Sequence, residues 1–297
     1  TVKAPGTRHD WLWSPTAGRM LELQDHSLIA CVTEEDPPLA HPGGEQYALS
    51  MRSVPPYDRW ERQGRVRVPV SGGECQIARG GPSGGTLVMF LRSTGNASVS
   101  GLGSSESHTG SGHAVAFSTT NGQSWTRFTQ LSARAMYSAD CQGSIVSLPA
   151  AAPRSWTLIA AAPRLGTPFT CKSCLRSNLT LFESENGLDW TERLLIWPTI
   201  SAYSSMVIHA GKLLVFFEAG TKATQYQELR LASVDLSHVS TLRTDDDSLY
   251  SVAGPGSYTA RWSSRVTYDF SHRSWGPCCG GPDWIDFNRG ESLVRNT

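Results

Sequence analysis

Two acidic residues and a tyrosine stand at comparable places along the chain, each at the start of a segment of β-type sequence. Glu74, Asp140 and Tyr203 follow a tryptophan by 14, 15 and 13 residues, respectively. A carboxylate can accept a proton, and a phenol can act as a nucleophile once a neighbouring base takes its proton. These side chains could therefore perform acid–base or nucleophilic chemistry if the fold brings them together.

Charged residues also mark the ends of apolar segments. Arg92 and Glu218 each end one, and Arg176 begins another. A guanidinium group binds a carboxylate through two parallel hydrogen bonds. Taken singly, each residue has an ordinary explanation, since strand-end charges are usually solvated and strand tyrosines usually pack. Asp140 is explained equally well as an exposed turn residue or as a support for the site.

A repeated motif predicts which residues converge. Trp60, Trp125 and Trp190 are spaced 65 residues apart. Two of them close the same motif, STTNGQSW at 118–125 and ESENGLDW at 183–190, and SVPPYDRW at 53–60 is a degenerate copy. A fixed period indicates one supersecondary unit used repeatedly. The Asn-Gly pair predicts a hairpin turn, and the tryptophan is expected to pack between sheets without a chemical role.

Strand patterns fill the rest of each repeat. Short apolar or alternating segments are bounded by Gly, Pro, Ser and Asn, and no segment keeps a helical period over three turns. Each unit reads as four strands, which predicts an all-β chain of β-propeller blades. Residues at equivalent blade positions then meet near the central axis.

Composition excludes several classes of protein. Of 297 residues, 39% are hydrophobic, and 26 basic residues balance 26 acidic ones. This balance gives no reason to expect a nucleic-acid partner, and no apolar run is long enough to span a membrane.

The seven cysteines do not indicate a metal site, because Cys171 and Cys174 lack a second pair at zinc spacing. Cys31, Cys75 and Cys141 lie in apolar contexts and are expected to be buried free thiols, which favours a reducing compartment. Two glycosylation sequons, at Asn96 and Asn178, point the other way.

Several landmarks together resemble the exo-α-sialidase (neuraminidase) family with its Asp-box repeats, most closely the animal type. They occur in the order and approximate spacing of that family and cover roughly residues 8–236: ECQIA at 74–78, FLRS at 90–93, CQGSI at 141–145, SAYSS at 201–205 and KLLVFFE at 212–218. The resemblance implies a six-bladed β-propeller.

The resemblance also implies roles for individual residues. Tyr203 matches the catalytic nucleophile and Glu74 the base that takes its proton. Arg92 and Arg176 match two of three arginines that bind the substrate carboxylate, and Glu218 matches the carboxylate that orients the remaining arginine. A neutral phenol suits this substrate, because the anomeric carbon of a sialoside carries a carboxylate that would repel a carboxylate nucleophile.

Two residues of the family pattern have no match in the chain, namely the first arginine of the triad and the aspartate that acts as general acid. The segment after Arg8 resembles the part of the family just before the third blade. On this alignment about two blades, on the order of 100 residues, are missing upstream. We therefore expect a partial propeller of roughly four blades at 1–244, an irregular or poorly ordered tail at 245–297, and little turnover from this chain alone.

The implied function is hydrolysis of terminal α-linked sialic acid from glycoproteins, oligosaccharides or gangliosides, with retention of configuration and without a metal or organic cofactor. A trans-sialidase is an alternative within the same fold. A non-catalytic propeller that binds sialic acid or serves as a scaffold is an alternative from another class. The cytosol, the lysosome and membrane surfaces all remain possible locations.

Overall fold

The computed structural model describes the backbone in thirteen stretches of the chain. These are residues 12–15, 19–35, 46–68, 73–80, 85–93, 110–132, 135–136, 138–139, 141–149, 156–165, 176–220, 228–236 and 261–267. Within them the chain is built of antiparallel β-strands, as the sequence predicts.

The first two sheets are meanders of sequential strands. Sheet 1 has the order β1-β3-β4-β5, with β2 paired to β3, and consists of β1 (Leu12–Pro15), β2 (Leu21–Glu22), β3 (Leu28–Glu35), β4 (Gln46–Ser53) and β5 (Glu61–Val68). Sheet 2 has the order β6-β7-β8-β9 and consists of β6 (Cys75–Gly80), β7 (Thr86–Arg92), β8 (Gly110–Ser118) and β9 (Thr129–Ser132).

The remaining strands form two further units that share one long strand. They are β10 (Ser144–Pro149), β11 (Trp156–Leu165), β12 (Arg176–Ser184), β13 (Thr191–His209), β14 (Lys212–Ala219), β15 (Glu228–Asp235) and β16 (Arg261–Thr267). The part of β13 up to Ile200 pairs with β12, and the part from Ser201 pairs with β14. We call β10–β12 with the first part of β13 sheet 3, and the second part of β13 with β14–β16 sheet 4.

Strand β16 lies inside the segment that the sequence analysis treats as an irregular tail. It pairs antiparallel with β15 and completes sheet 4 as its fourth strand. The sequence does not indicate this strand. The other residues of 245–297 lie outside the described part of the chain, so the division at residue 244 stays a prediction.

Three apolar cores lie between consecutive sheets, which is the stacking expected of propeller blades. The first core joins sheets 1 and 2, the second sheets 2 and 3, and the third sheets 3 and 4. Strand β7 shows how one strand serves two cores, because Leu87 and Met89 face the first and Val88 and Phe90 face the second. The described fold is therefore propeller-like, and the number of blades stays a prediction.

The two tryptophan turns connect neighbouring sheets, as predicted. In the turn at 118–125, the indole of Trp125 donates to Ser50 Oγ of sheet 1 at 3.0 Å. The Ser50 hydroxyl in turn donates to the Gly122 carbonyl at 2.7 Å. In the turn at 183–190, Trp190 is buried in the core between sheets 2 and 3. The degenerate copy differs, since Trp60 is 37% exposed.

Replacement of Gly122 by alanine should destabilise the contact between sheets 1 and 2. Gly122 has φ +85°, and a Cβ there would overlap Cδ1 of Ile29. Gly211 is a matched control, because it also has positive φ (+74°) but nothing within 4 Å of a built Cβ. We expect Gly211→Ala to cost about 1 kcal/mol from backbone strain. Gly122→Ala should cost about 1–3 kcal/mol more from overpacking, measured by urea unfolding. Equal losses of unfolding free energy in the two variants would show that sheets 1 and 2 separate easily at this turn.

The prediction that Cys31 and Cys75 are free thiols is wrong, because the structure joins them in a disulfide. The two residues lie on strands of neighbouring sheets, with a Cα–Cα distance of 5.7 Å across 44 residues of sequence. Sequence spacing did not reveal this pairing, since it arises where sheet 1 packs on sheet 2. Cys141 is buried and unpaired, as predicted. Cys31 and Cys75 therefore no longer favour a reducing compartment.

No helix in the described part of the chain is long and apolar enough to cross a membrane.

Candidate active site

The structure brings the predicted site residues together from three consecutive sheets. Glu74 directly precedes β6, Arg92 ends β7, and both belong to sheet 2. Arg176 begins β12 of sheet 3, whereas Tyr203 and Glu218 lie on β13 and β14 of sheet 4.

Tyr203 sits at a bulge in β13. Ser201 pairs with Ala219 and Ser204 with Phe217, so Ala202 and Tyr203 lie opposite Glu218 alone. Bulges of this kind bend a strand and redirect a side chain, and they are frequent beside active sites. The bulge therefore sets the direction of the tyrosine ring.

Tyr203 and Glu74 form the central contact of the site. The Tyr203 hydroxyl donates a hydrogen bond to Oε1 of Glu74, across 129 positions of sequence. The predicted approach of these two groups is thus present. The two residues come close because sheets 2, 3 and 4 stack on one another. Glu74 lies just before the first strand of sheet 2, and Tyr203 lies near the start of the first strand of sheet 4.

Arg92 contacts both members of this pair. Its Nη1 lies 2.8 Å from Oε2 of Glu74 and donates to the Tyr203 hydroxyl at 3.4 Å. The backbone supports the arrangement, since the Arg92 N–H donates to the Glu74 carbonyl at 2.7 Å. The side chains of Arg92 and Glu74 are 17% and 26% exposed. This cation beside the phenol would favour its ionised form.

Arg176 and Glu218 flank the tyrosine from other directions. The guanidinium carbon of Arg176 lies 5.9 Å from the centroid of the Tyr203 ring. Oε2 of Glu218 accepts a hydrogen bond from the Tyr203 backbone N–H at 3.3 Å. Glu218 therefore accepts a hydrogen bond from the Tyr203 N–H, which the bulge removes from the regular strand pairing. The sequence did not suggest this contact.

Burial and the neighbouring carboxylate favour the neutral form of the phenol. Burial raises the pKa of Tyr203 above its ordinary value, and the charge and hydrogen bond of Glu74 raise it further. The positive charge of Arg92 opposes this shift. Burial also raises the pKa of Glu218, against the opposing effects of the Tyr203 N–H and Arg176.

Two buried titratable groups lie beneath the site and were not singled out from the sequence. His113, opposite Arg92 on β8, stacks on Phe90 with ring centroids 4.5 Å apart and places Nδ1 2.7 Å from Ser138 Oγ. Burial, helped by Arg92, lowers the pKa of His113 to about 3. Burial raises the pKa of Cys141 to about 12. Both groups are therefore neutral at physiological pH. They are buried packing residues next to the site.

A third missed residue is Gln142, whose amide binds the backbone next to Tyr203. The signal for it was present in the sequence, because Cys-Gln occurs at 75–76 and again at 141–142. Asp140, which the sequence explains equally well as a turn residue or as a support for the site, lies outside the described part of the chain.

Comparisons with solved structures identify the fold as the sialidase type. The Trypanosoma rangeli sialidase in complex with sialic acid matches 78% of this chain with a TM-score of 0.54 and 18% identity. The match covers 32% of that sialidase. The same enzyme with 2,3-difluorosialic acid, solved as a covalent intermediate, matches 78% of this chain and 32% of its own, with a TM-score of 0.52 and 18% identity.

The NanB sialidase of Streptococcus pneumoniae, in complex with a chlorobenzylammonio ethanesulfonate, matches 80% of this chain with a TM-score of 0.55 and 15% identity. The match covers 33% of that chain, so this chain spans about a third of the length of these structures. No protein-family model and no curated protein match the sequence. At these identities the comparisons define the fold alone.

Proposed function

We propose that the chain carries part of the active site of an exo-α-sialidase. The observation that carries this proposal is the contact of the Tyr203 hydroxyl with the Glu74 carboxylate, with Arg92 touching both groups. The constellation lies on a sialidase-type fold. The substrates would be sialylated glycans of glycoproteins, oligosaccharides or gangliosides.

The chemistry begins with proton transfer from the Tyr203 hydroxyl to Glu74. The phenolate oxygen attacks the anomeric carbon as the bond from that carbon to the aglycone oxygen breaks, and the aglycone oxygen takes a proton from solvent, so that the aglycone leaves as an alcohol. This forms a tyrosyl-sialosyl intermediate. Water then attacks the anomeric carbon and displaces the tyrosine oxygen. The attacking water releases one proton to solvent, Glu74 returns its proton to Tyr203, and the two inversions retain the configuration.

Binding of the substrate carboxylate is assigned to Arg92 and Arg176. They flank Tyr203 from two sheets, and a guanidinium group keeps its charge at any physiological pH. Two cations next to the phenol would offset the substrate's negative charge and stabilise the developing phenolate. Glu218 accepts a hydrogen bond from the Tyr203 N–H and is assigned the role of orienting the residues of the site.

Covalent trapping with 2,3-difluorosialic acid tests the proposal. Fluoride leaves without protonation, so labelling depends on the nucleophile, its base and the arginines, and the fluorine at C3 slows breakdown of the adduct. We expect intact mass to rise by one difluorosialic acid minus HF, and peptide mapping to place the adduct on Tyr203. An adduct on another residue would contradict the assigned nucleophile.

Labelling, combined with two further measurements, separates the alternative functions. Binding of sialic acid in calorimetry without labelling would favour a non-catalytic binding module. Labelling of Tyr203 is common to hydrolysis and transfer, because both pass through the same intermediate. Release of sialic acid to water, rather than to an added galactoside acceptor, would distinguish a sialidase from a trans-sialidase.

A further inference from the structure

The bulge at Tyr203 leaves backbone groups of β13 outside the regular ladder. Ala202 and Tyr203 lie opposite one residue of β14, and the Tyr203 N–H is taken by the Glu218 carboxylate. A bulge interrupts the hydrogen bonds of a strand pair, and buried backbone groups need other partners. The direction of the Tyr203 ring therefore depends on side chains that hold this short stretch.

Gln142 holds the residue that follows Tyr203. Its Oε1 accepts from the Ser204 N–H at 3.0 Å, and its Nε2 donates to the Ser204 carbonyl at 3.1 Å and to the Gly143 carbonyl at 2.9 Å. Gln142 is 0% and Ser204 3% exposed. One amide, two residues before β10, thus binds both backbone groups of Ser204 in sheet 4, as a neighbouring strand would.

A glutamine at the corresponding place one repeat earlier also binds the backbone of the next sheet, through a single hydrogen bond. Gln76 stands in the same Cys-Gln pair, is 1% exposed, and accepts from the Ile145 N–H of sheet 3 at 3.1 Å. Each glutamine therefore binds the backbone of the first strand of the next sheet, β10 for Gln76 and the second part of β13 for Gln142. Only the contact made by Gln142 falls beside the tyrosine.

We propose that Gln142 is a positioning residue for Tyr203, an inference that rests on the proposed function. By fixing both backbone groups of Ser204, it holds the bulge in the orientation that places the Tyr203 hydroxyl between Glu74 and Arg92. The phenol oxygen lies at the far end of a long rigid side chain, so a small rotation of the backbone displaces it considerably. Misplacement by ~1 Å can reduce a reaction rate by ~10²-fold.

The test compares Gln142→Met with Gln76→Met. Methionine has a similar length but cannot replace the amide's hydrogen bonds, and both glutamines are fully buried. The rate of Tyr203 labelling is measured against the concentration of 2,3-difluorosialic acid, on protein shown to be folded. We expect the saturating rate of Gln142→Met to fall by ~10–100-fold, with the half-saturating concentration unchanged because the arginines stay in place. Gln76→Met should label at the unsubstituted rate.

Equal rate losses in the two variants, or none in Gln142→Met, would overturn the proposal. A change confined to thermal stability would show that Gln142 serves the packing of sheets 3 and 4 only.

A second measurement is independent of sialidase chemistry. Tyrosine labelled with ¹³C at Cζ reports the hydrogen bond of each phenol, and Tyr203→Phe assigns the resonance of Tyr203. We expect this resonance to move in Gln142→Met and not in Gln76→Met. If the unsubstituted chain is not labelled by the fluorosugar, the proposed function fails, and the NMR result alone decides whether Gln142 positions the phenol.

The Gln142→Glu variant provides a rescue and covers the case in which Gln142→Met does not fold. A protonated carboxyl can accept from the Ser204 N–H and donate to its carbonyl, whereas a carboxylate can only accept. Burial favours the protonated form. We expect the Tyr203 resonance to match the unsubstituted protein at low pH and to move away as the introduced carboxyl ionises. A displaced resonance at every pH, with the fold intact, would count against the hydrogen-bonding role.

Discussion

Replacement of Tyr203 by phenylalanine should abolish the covalent adduct with 2,3-difluorosialic acid. The change removes the oxygen that would attack the anomeric carbon and leaves the ring beside Arg176 in place. In a form of the protein that turns over sialosides, we expect a loss on the order of 10³-fold or more, because removal of a covalent nucleophile costs at least this much in other enzymes. Intact-mass spectrometry and a fluorogenic sialoside assay measure the two effects.

The fold of this variant should be nearly unchanged. The lost hydroxyl leaves Glu74 paired with Arg92 at 2.8 Å, so the change in unfolding free energy should be about 1 kcal/mol or less. Tyr57→Phe is the matched control, since the Tyr57 hydroxyl donates to the His26 carbonyl at 2.8 Å on an exposed turn. It should label normally. Persistent labelling of Tyr203→Phe would assign the nucleophile to another residue.

Replacement of Glu74 by glutamine should slow labelling of Tyr203 by ~10²–10⁴-fold at neutral pH, the usual range for loss of a general base. Glutamine keeps the shape of the side chain but cannot take the phenol proton. The control is Glu61→Gln on β5, which changes an exposed carboxylate and should leave the rate unaltered.

The pH dependence of this variant has a definite sign. Burial raises the pKa of Tyr203, and Glu74 raises it further, so loss of Glu74 removes the second contribution and leaves the first. The phenol then stays neutral at pH 7 and must lose its proton to solvent. The labelling rate of Glu74→Gln should therefore rise about tenfold per pH unit between pH 7 and 9, below the ordinary tyrosine pKa of about 10. A variant that labels at the unsubstituted rate, with a flat profile, would remove Glu74 from the mechanism.

Local sequence patterns were sufficient to predict the strands and the turns between them. Short continuous apolar runs marked β7 and β14, and the Asn-Gly pair marked the turn that ends at Trp125. The 65-residue period further indicated that Glu74 and Tyr203 occupy equivalent places in units two repeats apart. These features depend on neighbours within a few residues, or on repetition, and both can be read along a single chain.

Other features could not be read in this way. The Cys31–Cys75 disulfide, the pairing of β16 with β15, and the contact of Gln142 with Ser204 all join segments that meet only when strands pair or sheets stack. The bulge in β13 is equally hidden, because its extra residue exists only relative to the register of β14.

The sequence by itself determined which structural unit is repeated and which residue types lie at the ends of its strands. Tertiary structure alone decided that one phenol faces one carboxylate and one guanidinium group at hydrogen-bonding distance. The physical reason is one of scale. Strand and turn preferences act over a few residues, whereas the position of the Tyr203 hydroxyl is the sum of the packing of three sheets, one bulge and the side chains that hold it.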